Sequence, residues 1–343
     1  MEHTTIAVDL AKSIFQVAVS HHAGRIDEER RLSRDRFLEF FAQRPAATVL
    51  LEACSSSHYW GRQLQQLGHT VRQLPAHDVH RYLRRNKTDR TDTKALLEAN
   101  RNEEIRAVPV KTVEQQAVAS LHRLRSTWLA TRTSRLNTLR GLLREFGATI
   151  PVGAQHVVPR VLELLDDPSP VPLVMRSTLR DACDEIGVLE TNIRQVERSL
   201  ATVAQQNPDV ALLQSVPGVG LLTATALVAL VGDCRRFPSG RRFASFLGLT
   251  PKEDSTASRR RLGAINKRGD AYLRMLLIHG ARSVLCHAKR RKDPPAFQAW
   301  ALQTEHRRGH NIAAVAVANK LARIVWAVWT HQRPFADVEV PAA

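Results

Sequence analysis

Over the first hundred residues, short apolar runs alternate with polar stretches at strand spacing. Segments 5–10, 14–20 and 25–32 are β-type runs separated by turn-prone residues, and Gly24 marks a tight hairpin between the second and third, so three antiparallel strands are expected first. Residues 34–43 carry apolar side chains at helical spacing, and 47–52 is a continuous apolar strand. Residues 58–67 form a second helix closed by Gly68, and 69–73 is another short strand.

From there the period changes. Between 113 and 146 the only helix-breaking residue is Gly141, and leucines recur at Leu121, Leu124, Leu129, Leu136, Leu139, Leu142 and Leu143, which predicts one long helix. A segment marked by Pro and Gly, 151–172, separates it from a second run, 173–206, with Leu179, Ile186, Leu189, Ile193, Val196 and Leu200 on its apolar side. Two such helices pack as an antiparallel hairpin or against another subunit. Asn207-Pro208 breaks the pattern, after which 212–232, 270–289, 296–304 and 311–329 read as helical, and residues from 334 onward as a loose tail. A three-strand meander followed by alternating helix and strand is the order of an RNase H-like α/β fold. The expected division is therefore 1–108, RNase H-like; 109–207, a helical hairpin; 208–335, a helical C-terminal domain; and 336–343, a tail.

Composition adds a direction to this plan. The 343 residues contain 50 Lys plus Arg against 33 Asp plus Glu, a formal net charge of +17. A positive field of that size suits a polyanion, nucleic acid first. The four cysteines, Cys54, Cys183, Cys234 and Cys286, are far apart and show no zinc-finger spacing. The N-terminus lacks a basic n-region, and apolar stretches such as 221–231 fall short of the ~20 residues that cross a bilayer. A soluble, cytoplasmic protein without a membrane partner is expected.

Candidate chemistry lies in two places. Asp9 closes the first strand and Glu52 the fourth, and in an RNase H-like sheet those strands are parallel neighbours. Asp89 and Asp92 sit at i and i+3 near a helix start, on one face. Singly, each has a bland role as a turn former or helix-dipole partner; together they form a set of hard oxygen donors suited to Mg²⁺, with Mn²⁺ as a substitute. In the C-terminal half, Ser215 to Gly220, with Pro217, Gly218 and Gly220, looks like a helix-hairpin-helix turn, where glycines let backbone N–H groups approach a phosphate. A plain helix-helix turn fits it equally well. Further on, the hydroxyl residues Ser255, Thr256 and Ser258 precede Arg259, Arg260 and Arg261, and then Lys267 and Arg268. That cluster can handle phosphate, and a serine in it can attack phosphorus, although a flexible polar loop gripping backbone is the plainer reading.

The chain resembles, over nearly its whole length, the DEDD transposases of insertion-sequence family one-ten, most closely the eleven-eleven subgroup. The resemblance rests on Ala7-Val8-Asp9, Leu51-Glu52-Ala53-Cys54 with His58-Tyr59-Trp60, and Asn86-Lys87-Thr88-Asp89 with Asp92. It rests also on Val108 to Thr112, Pro217-Gly218-Val219-Gly220, Leu247 to Pro251 and Lys267 to Arg274. It implies a RuvC-like N-terminal domain with Asp9, Glu52, Asp89 and Asp92 as metal-binding acids, a coiled-coil connection, and a C-terminal transposase domain whose catalytic serine matches Ser255. It also implies contact of Lys87 with nucleic acid, a covalent serine-DNA intermediate, and donor and target DNA paired to a noncoding guide RNA. The assembly would be a homo-oligomer, dimer or tetramer, in which the serine of one subunit completes the acidic site of another. Where the family has Ser followed by Gly or by Ser-Gly, this chain has Ser255-Thr256-Ala257-Ser258. Counting back from Lys267 selects Ser255; counting forward from Pro251 selects Thr256; Ser258 is the third choice. The rival functions are a RuvC-like junction resolvase or nuclease using water, and a nucleic-acid-binding protein without catalysis.

Overall fold

The computed structural model describes residues 4–22, 25–83, 89–166, 169–256 and 259–336. The chain divides into two compact units, Met1–Glu114 and Gln115–Ala343. Gly24, placed in a hairpin from sequence, lies outside the described residues, as do Lys87 and Ser258.

The first unit contains β1 (Thr5–Asp9), β2 (Ile14–Ser20), β3 (Glu28–Ser33), α1 (Phe37–Ala42), β4 (Thr48–Glu52), α2 (Ser57–Gln66), β5 (Thr70–Leu74), α3 (Ala76–Val79) and α4 (Asp89–Asn100). Its five strands are ordered β3-β2-β1-β4-β5. The first three are antiparallel, whereas β1–β4 and β4–β5 are parallel. The central strands read as unbroken apolar runs because both faces are covered. Ile6, Val8, Val49 and Leu51 pack with Phe37, Phe41, Trp60 and Leu64 on one side. Ala7, Leu50 and Leu74 pack with Ala95, Leu96 and Ala99 of α4 on the other. Phe15 meets Phe37 edge-on at 4.8 Å and Trp60 at 5.1 Å, locking α1 and α2 to the sheet. The charged sequence Glu28-Glu29-Arg30-Arg31 marks β3 as the edge strand. It starts three residues later than the sequence pattern indicates, because Asp27 closes the preceding turn: its carboxylate accepts the His21 backbone N–H at 2.8 Å. That bond holds the Asp27 carboxyl below the ordinary carboxylate range.

The second unit holds α5 (Val113–Glu145, entered from the first unit), α6 (Val157–Leu164), α7 (Leu173–Gln205), α8 (Pro208–Gln214), α9 (Leu221–Val231), α10 (Gly240–Phe246), β6 (Pro251–Glu253), β7 (Leu262–Ile265), α11 (Ala271–Lys289), α12 (Ala296–Arg308) and α13 (His310–His331). Helices α5 and α7 run antiparallel. Arg125 pairs with Glu197 at 2.7 Å, Arg132 with Glu190 at 3.6 Å and Arg135 with Glu185 at 2.8 Å, one number rising as the other falls. Partly exposed pairs of this kind contribute about 0–1 kcal/mol each. Cohesion comes from the seam of Leu136, Leu139 and Leu143 against Leu179, Cys183 and Ile186. Helix α6 has no counterpart in the sequence reading, which saw only Pro and Gly punctuation there. Pro159 falls in its first turn, where a missing N–H costs nothing, and Val157 and Val161 are driven into the seam.

Helix α13 is long and apolar enough to span a membrane by length and composition, but half of that window is buried inside the protein. Val317, Ala318, Leu321, Ala322 and Val325 form the centre of the C-terminal core, together with residues of α8 to α12. The turn between α8 and α9 is pressed against α11. Gly218 has φ 86°, and a Cβ there would meet the Gly280 carbonyl oxygen at 2.7 Å and Val284 Cγ2 at 2.8 Å. A side chain at Gly280 would in turn collide with the Gly218 carbonyl. Nearby, His122 of α5 is 2 % exposed. Its Nε2 lies 3.0 Å from Thr225 Oγ1, and its Nδ1 2.9 Å from the Tyr272 hydroxyl. Thr225 Oγ1 donates its single proton to the Leu221 carbonyl at 2.7 Å, so it accepts from Nε2–H, which leaves Nδ1 to accept from Tyr272. The ring is therefore neutral, and burial pushes its pKa down to about 4.

Two predictions follow from this packing. Gly218→Ala combines a left-handed backbone with a clash against helix backbone, and its expected cost is about 2 kcal/mol or more, read as a lowered denaturant midpoint. For His122, the folded pKa lies below the ordinary 6.5. The unfolded chain therefore takes up the proton first as pH falls, and stability is lost between about pH 6.5 and 4, by at most roughly 3 kcal/mol. His122→Gln keeps one donor and one acceptor without titrating; denaturation at the two ends of that window should show a flatter pH dependence for the variant than for wild type.

Candidate active site

At the acidic end of the first unit, strand alternation decides where side chains point. Ala7 and Leu50 face α4. Asp9 and Glu52 lie two residues further along the same strands, so they project to the same side at the C-terminal ends of β1 and β4. Val8 is paired with Leu51 in the parallel ladder. The next step of that ladder sets Asp9 beside Glu52, with strands about 4.8 Å apart.

Helix α4 covers this face. Arg90 Nε binds Glu29 Oε1 at 2.8 Å, and Glu29 is level with Ala18, which is level with Ala7. Arg90, Thr91, Lys94 and Glu98 line one depression with Ile26 and Asp27. Arg90 and Thr91 stand in the N-terminal turn of α4. Asp92, 9 % exposed, belongs to that turn and to the buried stripe that continues through Ala95, Leu96 and Ala99. Gln16, the register partner of Asp9 on β2, is 8 % exposed. It is the polar interruption of an apolar strand, a signal that the sequence reading passed over.

Asp9 and Glu52 thus belong to one face and one end of the sheet, and Asp92 lies on the buried stripe of α4, the helix that covers that face. Asp89 opens α4, but its side chain lies outside the described residues. Among the described residues, no group of three or more His, Cys, Asp or Glu side chains is gathered closely enough to hold a metal ion. The donor chemistry, carboxylate throughout, fits a hard divalent cation.

In the second unit, the segment read from sequence as a polar loop is a β-hairpin. Pro251 pairs with Ile265, Glu253 with Leu262, and an isolated bridge joins Thr256 to Arg259. Its base is interlocked with the Lys267-to-Asp270 turn. Lys267 N–H donates to the Gly248 carbonyl at 3.2 Å, Asn266 N–H to the Thr250 carbonyl at 2.9 Å, and Arg274 Nη1 to the Leu247 carbonyl at 3.2 Å. Asp270 caps α11 by accepting the Leu273 N–H at 2.8 Å. Lys267 itself sits at φ 57°, a strained backbone for a residue with a side chain.

At the tip, Ser255 Oγ donates to Glu253 Oε1 at 2.9 Å and accepts the Arg261 backbone N–H at 3.1 Å. Arg260 Nε lies 3.2 Å from the same Glu253 oxygen. Arg259, Arg260, Arg261, Lys267 and Arg268 are all exposed, as are Ser255 and Thr256. Of the glycine turn, Gly218 is taken up by packing against α11, whereas Gly220 is exposed and starts α9 with no side-chain cap. Glu253 is absent from the sequence reading, which counted hydroxyls and cations and ignored the carboxylate two residues before Ser255.

Comparison with known proteins places this arrangement. Residues 6–147 match the DEDD transposase domain of the IS110 family, and residues 210–298 match the transposase IS116/IS110/IS902 family. A "probable family 20 transposase" of Pseudomonas aeruginosa is 41 % identical over 97 % of this chain and 98 % of its own length. The transposase for insertion sequence element IS1111A of Coxiella burnetii is 36 % identical over 96 % of this chain and 90 % of its own. That for element IS1328 of Yersinia enterocolitica is 32 % identical over 97 % and 98 %. A mixed α/β sheet followed by a mostly helical remainder is compatible with an RNase H-like DEDD domain joined to such a C-terminal region. The chain belongs to the IS110/IS116/IS902 family of insertion-sequence transposases, enzymes that cut and rejoin DNA.

Proposed function

We propose that this transposase breaks and reseals DNA by combining a divalent metal site, formed by Asp9, Glu52, Asp89 and Asp92, with attack by Ser255 on phosphorus to give a covalent protein-DNA intermediate. The observation that supports the metal half is that Asp9 and Glu52 end neighbouring parallel strands on the face covered by α4, the helix whose buried stripe includes Asp92. Mg²⁺, with Mn²⁺ as a substitute, would lower the negative charge on the phosphodiester and on the departing oxygen. The residues do the rest. Asp9 and Glu52 are fixed by two central strands of the sheet, and Asp92 by the buried stripe of α4, so each acid is carried on a rigid element.

For the serine half, supporting geometry favours Ser255 over Thr256. Ser255 Oγ is held by Glu253 and by the Arg261 N–H, whereas the Thr256 backbone closes the hairpin. Arg259, Arg260, Arg261, Lys267 and Arg268 grip phosphates on either side. The N-terminus of α9, behind the exposed Gly220, offers further backbone N–H groups. In this reading the antiparallel pair α5–α7 is a coiled-coil spacer, the protein acts as a homo-oligomer, and a noncoding RNA paired with donor and target DNA selects the sites, as the family resemblance suggests.

The discriminating experiment uses purified full-length protein with DNA from its own element's end. Ser255→Ala should abolish both strand cleavage and the covalent adduct on a denaturing gel. Asp9→Asn should retain DNA binding while cleavage falls at least ~100-fold. Cleavage that persists in Ser255→Ala without an adduct would make water the nucleophile, as in a junction resolvase.

A further inference from the structure

The serine hairpin contains one group that none of the roles above uses. Glu253 ends β6, two residues before Ser255, and it is half exposed. Its Oε1 receives two hydrogen-bond donors, the Ser255 hydroxyl at 2.9 Å and Arg260 Nε at 3.2 Å. The serine oxygen is meanwhile fixed from its other side by the Arg261 N–H at 3.1 Å. A nucleophile within hydrogen-bond reach of a carboxylate, with that carboxylate oriented by a third group, is the arrangement by which a weak hydroxyl nucleophile is activated.

Simple turn chemistry accounts for less of this. A hairpin tip needs backbone pairing, which Asp254 N–H to the Arg261 carbonyl at 3.0 Å and the Thr256–Arg259 bridge already supply. An exposed Arg–Glu pair contributes little to stability. The three-way contact at Glu253 Oε1 therefore lacks a structural reason of comparable weight.

We infer that Glu253 is the general base that deprotonates Ser255 during strand cleavage, with Arg260 as the positioning residue that holds the carboxylate towards the hydroxyl. The proposal rests on Ser255 being the nucleophile. In the step, the Ser255 proton moves to Glu253 as the bond from Oγ to phosphorus forms and the bond from phosphorus to one flanking deoxyribose oxygen breaks. The departing oxygen takes a proton from water, and Glu253 returns its own to solvent. On rejoining, Glu253 has regained a proton from solvent; the attacking deoxyribose hydroxyl gives its proton to water as its bond to phosphorus forms, and Glu253 gives its proton to Oγ as the bond from phosphorus to Oγ breaks.

The test follows covalent adduct formation in single turnover, with full-length protein, divalent metal, the element's noncoding transcript and a duplex carrying the element's end. Glu253→Gln should slow adduct formation ~100-fold or more at neutral pH, and its rate should then climb about tenfold per pH unit as hydroxide replaces the lost base. Glu253→Asp should recover part of the rate and the wild-type shape of the pH profile. Wild-type rates and an unchanged profile in Glu253→Gln, with Ser255→Ala inactive, would overturn the role of Glu253 and leave the serine reading standing. An adduct that survives Ser255→Ala but disappears in Thr256→Ala would remove the serine reading itself. Circular dichroism of each variant separates lost chemistry from lost fold, and a rate loss in Glu253→Gln whose pH profile matches wild type would mark the residue as merely structural and overturn the proposal.

Discussion

The parallel pairing of β1 with β4 is the constraint on which the proposed acidic site depends. Two chain segments separated by some forty residues of sequence end side by side because their apolar centres, Ile6-Ala7-Val8 and Val49-Leu50-Leu51, are buried on both faces and tolerate one register only. A shift of one residue would send Asp9 to the other face, among the aromatic rings of α1 and α2, where an unpaired carboxylate is costly. The hydrophobic core thus fixes the geometry of the polar site. Helix α4 then covers one face with small residues, Ala95 and Ala99, which let its backbone approach closely and carry Asp92 inward.

A different device operates in the C-terminal unit. There, helices supply the core and a short hairpin presents Ser255, the proposed nucleophile. Its two strands are exposed along their length, so burial does not hold it. It is held at its root, where the backbone of Phe246 to Gly248 meets the turn at Lys267 to Asp270. Gly248 and Gly269 both have positive φ, and a side chain at either would collide with the opposing backbone. The cations on the hairpin and the turn are left facing solvent.

Much of the first unit was legible in the sequence because two-sided burial leaves a plain mark: unbroken apolar runs of strand length, each ending in an acid. The long helices were legible because α5 runs 33 residues broken by Gly141 alone and rich in leucine, and α7 repeats leucine and isoleucine along its buried side. The hairpin was not, since Pro251–Glu253 and Leu262–Ile265 are three and four residues long and lack an alternating pattern. Their pairing is imposed by the anchored root and the cross-strand hydrogen bonds, which depend on tertiary contacts. Helix α6 escaped notice because Pro159 reads as a breaker unless its place in the first turn is known. Gly218 illustrates a third limit. The Pro-Gly-Val-Gly signature suits both a phosphate turn and a packing contact, and only the proximity of Gly280 reveals the second use.

The interlocked root of the hairpin has a consequence for how this enzyme can decay. Alteration of Gly248 or Gly269 would leave the helical core, the acidic residues and the serine in place while re-aiming the arm that carries Ser255, the proposed nucleophile. Copies of such an element could therefore lose mobility with every reactive group intact, and an inventory of reactive residues alone would count them as competent.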